Sequence, residues 1–282
     1  MEKNKIAIIY DFDGTLAPGN MQEYDFIPAV GKKNEEFWCE STQLAEEQDG
    51  DPILAYMYRM IQAAKSGEKS LRREAFRESG SKVELFEGVV EWFSRINKYA
   101  AKKGLKIEHY INSSGIKEMI EGTKIAGEFK KIFACSFFYD VDGIAYWPSV
   151  VVNYTTKTQF LFKINKGIDS ISDNILINNY VPESERPIPF SRMIYIGDGY
   201  TDIPCMKLVK QMGGYSIAVY NSESQKKIDE ISKLLDEGRV DYTAKADYTS
   251  KSKIDKIVHN IIDKIAAEAN LEKISKDNEC EK

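Results

Sequence analysis

Ile6-Ala7-Ile8-Ile9-Tyr10 is an unbroken apolar run that ends on Asp11. A run of that kind suits a strand buried on both faces, as in a parallel sheet. Four more strand candidates follow at Lys106 to Ile111, Ile132 to Tyr139, Met193 to Ile196 and Tyr215 to Tyr220. Helical periodicity lies between several of them. Val89, Val90, Trp92, Phe93, Ile96 and Tyr99 form one stripe over Gly88 to Lys103, and Asp202 to Met212 reads as a second helix. Strands alternating with helices predict βαβ units with right-handed crossovers. The expected fold class is α/β: a Rossmann-like parallel sheet core with helices on both faces.

Two stretches break this rhythm. Residues 18 to about 85 contain no convincing strand and read as helices over Glu35 to Glu47, Pro52 to Lys65 and Lys69 to Glu78. They predict a smaller all-helical cap inserted after the first strand. The expected division is a core domain of residues 1–17 and 84–282 and a cap of residues 18–83. Asp140 to Val152 reads instead as a small hairpin, with Asp142-Gly143 as its turn. Ile254, Ile257, Val258, Ile261, Ile262 and Ile265 repeat at helical spacing and predict a final amphipathic helix. The polar residues from about Asn270 onward are expected to fray.

Composition narrows the class. The chain has 282 residues, enough for a core domain and a smaller one, and is 43% hydrophobic and 29% charged, as in ordinary globular proteins. A net charge of -5 argues against a sequence-independent nucleic-acid binder. Cys39, Cys135, Cys205 and Cys280 make no C-x-x-C pair and no zinc spacing. Their scatter points to a reducing, cytoplasmic location. The apolar run before Asp11 is too short for a signal-peptide core, and no segment approaches the roughly 18 apolar residues of a membrane span. No membrane or nucleic-acid partner is expected.

The chemistry begins where the first strand ends, at Asp11-Phe12-Asp13-Gly14-Thr15-Leu16. Ligands of open parallel sheets bind at the carboxyl ends of strands. Spacing of two puts both carboxylates on one side if the chain stays extended, and Gly14 then allows a sharp turn. Adjacent carboxylates repel, so one pKa rises unless a cation intervenes. The pair is therefore a metal site or a nucleophile with an acid partner, and the plain alternative is a helix cap with an acidic first turn. The motif resembles the D-x-D-G-T-(L/V) signature of the haloacid dehalogenase superfamily of phosphohydrolases. That resemblance implies that Asp11 attacks phosphorus to form an aspartyl-phosphate and that Asp13 is the general acid and base. The dehalogenases themselves lack the second Asp, so its presence favours phosphoryl chemistry.

Three further segments occur in the order that the superfamily requires. Ile107 to Gly115 is a strand that ends in Asn112-Ser113-Ser114-Gly115 and resembles the second motif. Ser113 is then the phosphate-binding hydroxyl, Ser114 and the following backbone amides are further donors, and the plain alternative is that Ser113 caps a helix. Asn153 to Thr158 is the best match to the third, with Lys157 neutralising phosphate charge and Lys163 and Lys166 as rivals. Gly197-Asp198-Gly199-Tyr200-Thr201-Asp202 follows a buried strand and resembles the G-D-G-x-x-D motif. The resemblance implies one Mg²⁺ held by Asp11, Asp198 and the backbone carbonyl of Asp13. Asp202 is a further ligand, or orients water and Lys157. A capping Asp after a glycine-rich turn is the alternative for that segment.

A helical insert between the first and second motifs resembles the cap of the phosphoserine-phosphatase-like branch. That branch carries a substrate-reading Glu nine positions after the nucleophile, where this chain has Asn20, with Glu23 the nearest acid. Arg59, Arg72, Arg73 and Arg77 read as solvated helix faces, Tyr56, Met57, Tyr58 and Met60 as cap core, and Pro182 to Pro189 as an extra loop beside the site. The resulting expectation is a Mg²⁺-dependent phosphatase of a small phosphorylated metabolite. A phosphotransferase or mutase using the same intermediate is the enzymatic alternative, and a non-catalytic binding protein on this fold is the other.

Overall fold

The computed structural model describes residues 4–221 and 225–280. The chain opens with β1 (Lys5–Tyr10) and continues into α1 (Phe26–Ala29), α2 (Asn34–Glu47), α3 (Pro52–Ser66), α4 (Arg73–Ser81) and α5 (Val89–Lys102). Next come β2 (Lys106–Ile116), α6 (Lys117–Gly122), β3 (Phe129–Tyr139), β4 (Ala145–Val150), α7 (Thr156–Lys166) and α8 (Asn174–Asn178). The chain ends with β5 (Met193–Gly197), α9 (Ile203–Gln211), β6 (Tyr215–Tyr220), α10 (Gln225–Asp236), β7 (Tyr242–Lys245) and α11 (Lys253–Cys280). The seven strands form one sheet in the order β4-β3-β2-β1-β5-β6-β7, parallel except for β4.

β1 is central, and Ile6 through Tyr10 are fully buried, as a continuous apolar run requires. Tyr10 lies beside Ile111 of β2 and Ile196 of β5, and the Asp11 amide extends the ladder to the Ile196 carbonyl at 2.9 Å. Residues 11, 112 and 197 therefore follow side by side at one level of the sheet. The chain moves from β1 toward β2 on one side and later returns to β5 on the other, so the strand order reverses at β1. α5 packs with α11 and α7 with α9, and right-handed crossovers put these pairs on opposite faces. Behind the strand end, Trp92 Nε1 donates to Tyr10 Oη, which bonds His109 Nδ1. Burial pushes the His109 pKa down to about 3, so the ring is neutral.

The insert after β1 is helical, as its pattern predicts. Asp51 caps α3 by accepting from the Ile53 and Leu54 amides, with Pro52 in the first turn. α4 begins at Arg73 rather than Lys69, because the Leu71 carbonyl accepts from Ala145 N at 3.0 Å and holds that segment against the β4 edge. α4 is sealed onto α6. A Cβ on Gly80 would stand 1.9 Å from the Met119 carbonyl oxygen, and one on Gly122 1.9 Å from that of Arg77. Arg73 pairs with the buried Glu118 at 3.2 Å, and Phe76 stacks on Phe137 at 5.5 Å.

Some expected elements differ in the structure. The Asp142-Gly143 turn forms, with Gly143 at φ 74°, but the first arm of its hairpin is β3. α7, α10 and β7 are not evident from periodicity. α11 runs through Asn270 to Cys280 instead of fraying there, and Glu272 on it pairs with Arg192 at 2.9 Å. Residues 182–189 do not border the cleft at the strand ends. Ile188 and Phe190 are buried, the Ile188 carbonyl accepts from Asn165 Nδ2 on α7, and Phe190 meets Phe162. Among the described residues, no helix is long and apolar enough to cross a membrane.

The α4–α6 contact leaves no room for a side chain. Gly80→Ala is therefore expected to cost about 1–3 kcal/mol in urea unfolding. Gly127→Ala is the control, since a Cβ there meets nothing within 4 Å, and its midpoint should not move. An unshifted midpoint for Gly80→Ala would mean that the two helices part without cost.

Candidate active site

The carboxyl ends of β1, β2 and β5 bring the sequence-predicted residues to one place. Asp11, Asp13, Ser113, Ser114 and Asp198 all border a cleft of about 480 Å³. Asp202, and Lys157 in the first turn of α7, are fully buried behind Asp11 and do not line it. Asp11, Asp198 and Asp202 each offer a carboxylate oxygen within 4.8 Å of the others. Asp13 Oδ1 turns away and accepts from Met21 N at 2.9 Å. Gly14 at φ 72° makes this layout possible, since a Cβ there would lie 2.1 Å from Asp198 Oδ2.

Lys157 Nζ donates to Asp202 Oδ1 at 2.7 Å and lies 3.2 Å from Asp11 Oδ1 without hydrogen-bond geometry. Burial pulls the ammonium pKa down, but Asp11 and Asp202 override this and hold it above the ordinary lysine value. Burial and the Asp202 charge push Asp11 up to about 7, against the pull of Lys157, with Asp198 adding to the rise. Burial, then the Asp11 charge, holds Asp13 well above the usual carboxylate range. Lys163 and Lys166 are not at the site. They donate to carbonyls of the segment after α7: Ser170 and Asp173 for one, Ile177 and Asn179 for the other.

The simpler readings of these motifs do not describe the local geometry. Asp202 is the N-cap residue of α9, but its side chain makes no capping bond. Ser113 does not cap α6, whose N-cap residue is Ile116, and its Oγ accepts from Gly115 N at 3.0 Å. Ser114 Oγ is buried without a partner. Asp11 Oδ1 and Asp202 Oδ2 are likewise buried oxygens lacking hydrogen-bond partners. Orphaned carboxylate oxygens converging this closely suit a small hard cation, because such ions take oxygen ligands. The residues present therefore fit Mg²⁺.

Several contributors were not singled out from the motifs. Tyr195 Oη donates to Asp202 Oδ1 at 2.7 Å, and its position as a lone hydroxyl in an apolar strand was the available signal. Asn112 Nδ2 donates to the Lys157 carbonyl at 3.0 Å and fixes the start of α7. Trp38, Tyr154, Tyr200 and residues of α10 line the cleft without any local signature. Tyr56, expected in the cap core, also lines it and donates to the Ser114 carbonyl. Met57 and Met60 are buried, but Tyr58 is exposed. Asn20 Nδ2 and Trp38 Nε1 both donate to Glu23 Oε1 at 2.7 Å. Arg73 and Arg77 pair with Glu118 and Glu121, and none of the four cap arginines borders the cleft.

Comparison with known proteins bears on the family and the fold. Residues 6–251 match the family described as "Putative Phosphatase". An uncharacterized protein of Borreliella burgdorferi is 32% identical over 89% of this chain and 94% of its own length. A pyridoxal phosphate phosphatase of Bos taurus is 21% identical over 73% of this chain and 79% of its own. A substrate-bound phosphoserine phosphatase structure superposes with a TM-score of 0.54 at 17% identity, covering 86% of this chain and 93% of that one. The chain therefore belongs to that phosphatase family and has a phosphoserine-phosphatase-like fold.

Proposed function

We propose that the chain hydrolyses small phosphate monoesters through a phosphorylated Asp11, in a Mg²⁺-dependent reaction. The observation that carries this reading is the Asp11 carboxylate, lying 3.2 Å from the buried Lys157 ammonium and clustered with Asp198 and Asp202. Asp11, Asp198, Asp202 and the Asp13 backbone carbonyl would hold the ion. Bound Mg²⁺ supplies the charge that lets one anion approach another.

In this reading an Asp11 oxygen attacks phosphorus as the bond to the leaving oxygen breaks. The leaving oxygen takes a proton from Asp13, whose carboxyl is pushed toward the neutral form by burial and then by the Asp11 charge. Water then attacks phosphorus, gives its proton to Asp13, and frees the Asp11 carboxylate. Ser113, Ser114 and Lys157 bind the phosphoryl oxygens throughout. The division into a core of residues 1–17 and 84–282 and a cap of residues 18–83 belongs to the same reading, with the cap roofing the reaction.

The cleft walls bear on the substrate. Trp38, Tyr56, Tyr154 and Tyr200 line it, and its described lining includes no lysine, arginine or histidine. Such walls suit a flat leaving group without a second anion. Pyridoxal phosphate, named in the activity of the Bos taurus relative, has that form. Phosphoserine carries a carboxylate that these walls do not pair. With Mg²⁺ present, phosphate release should be faster from pyridoxal phosphate than from phosphoserine at equal concentration. The reverse order would sink the substrate assignment.

Two further outcomes follow. Asp11→Asn should lose turnover of every ester. Asp13→Asn should keep a burst of aryl oxide release from an aryl phosphate and then turn over roughly 10²- to 10⁴-fold more slowly. Loss of that burst while Mg²⁺ still binds would mean that Asp13 is needed for attack itself. Because Asp198 repels Asp11, Asp198→Asn without metal should melt no lower than the native chain. The native chain should gain thermal stability on adding Mg²⁺, and this variant should not. An equal gain in both would remove Asp198 from the ligand set.

A further inference from the structure

Tyr195 stands out among the buried polar groups. It lies in β5, fully buried between β1 and β6. A phenylalanine would fill this position without a partner for its ring edge. The hydroxyl instead donates to Asp202 Oδ1 at 2.7 Å, the same oxygen that Lys157 Nζ reaches at 2.7 Å.

A carboxylate oxygen has two lone-pair sites. Two donors on Oδ1 fill them and leave Oδ2, which is buried and has no partner. The backbone shapes the space for that arrangement, since a Cβ on Gly197 would lie 2.5 Å from Asp202 Oδ2. The χ2 torsion of an aspartate is soft, so one donor alone does not fix which oxygen faces which way. With only Lys157 as partner, the carboxylate is free to turn and the ammonium to move off Asp11.

We propose that Tyr195 is a positioning residue of the metal site, whose hydroxyl locks Asp202 with Oδ2 left open to an ion and keeps Lys157 shared with Asp11. This rests on Asp202 being a ligand, as in the proposed function. The Tyr195 hydroxyl stays protonated and so remains a donor, because burial and then the Asp202 charge hold it well above the ordinary tyrosine value.

The test is calorimetric titration of the full chain with Mg²⁺. Tyr195→Phe should raise the Mg²⁺ Kd roughly 10- to 100-fold, the range for partners that orient metal ligands. It should lower kcat more than it raises KM for an aryl phosphate. In an Asp202→Asn background the same change should leave Kd where that background sets it. Tyr110→Phe is the control. It removes another buried tyrosine hydroxyl bonded to a carboxylate, Glu108 Oε2 at 2.7 Å, and should cost stability without moving the Mg²⁺ Kd.

If Tyr195→Phe does not fold, 3-fluorotyrosine in place of Tyr195 supplies a second measurement. Its ¹⁹F resonance should shift on adding Mg²⁺, as charge on Asp202 is drawn to the ion. An unchanged Kd in Tyr195→Phe, a change no larger than that of Tyr110→Phe, or an unmoved ¹⁹F resonance overturns the inference while leaving the metal site intact. No Mg²⁺ binding by the native chain overturns both.

Discussion

The Lys157 ammonium lies wholly out of solvent between Asp11 and Asp202, and the layout of the strand ends depends on it. Buried carboxylates are costly unless paired or hydrogen-bonded. The buried Asp11 and Asp202 and the half-buried Asp198 offer oxygens within 4.8 Å of one another, and one ammonium does not balance them. Burial, and then this imbalance, pushes Asp11 up to about 7, and the excess negative charge suits the cluster to a divalent ion. Removing Lys157 would leave Asp11 and Asp202 facing each other without compensation.

The sheet register makes this arrangement possible. Tyr10 pairs with Ile111 on one side and Ile196 on the other. Asp11, Asn112 and Gly197 follow at one level, and the acidic and hydroxyl residues of three distant segments meet there. The carbonyl of Lys157 is tied back to β2 through Asn112. Two neighbouring strands thus position the nucleophile candidate and its counter-charge.

The helical insert roofs the site with two kinds of contact. α4 is locked to α6 by reciprocal glycines and by the Arg73–Glu118 pair. α2 and α3 present Trp38 and Tyr56 to the cleft, anchored by Glu23 and by the Ser114 carbonyl. The insert's firm attachment lies away from the chemistry, and its lighter polar contacts lie at the cleft. Lining from α10 adds apolar surface on the opposite side.

The sequence by itself determined what is written locally. Largely apolar runs marked β1, β3, β5 and β6, because a strand buried on both faces has few polar positions, and β2 was legible from the alternation of strands and helices around it. Asp11, Asp13, Ser113, Asp198 and Asp202 were legible because each sits in a short motif at the end of such a run. β7, α7 and α10 were not, since short or polar segments carry weak periodicity. The start of α4 is not legible locally because its boundary is set by pairing with β4, 74 residues beyond Leu71 at Ala145. Only the tertiary structure decided which lysine faces Asp11, which tyrosine holds Asp202, and which aromatics wall the cleft. Those are contacts between residues far apart in the chain, and side chains of the same type elsewhere, such as Lys163 or Tyr110, make different bonds.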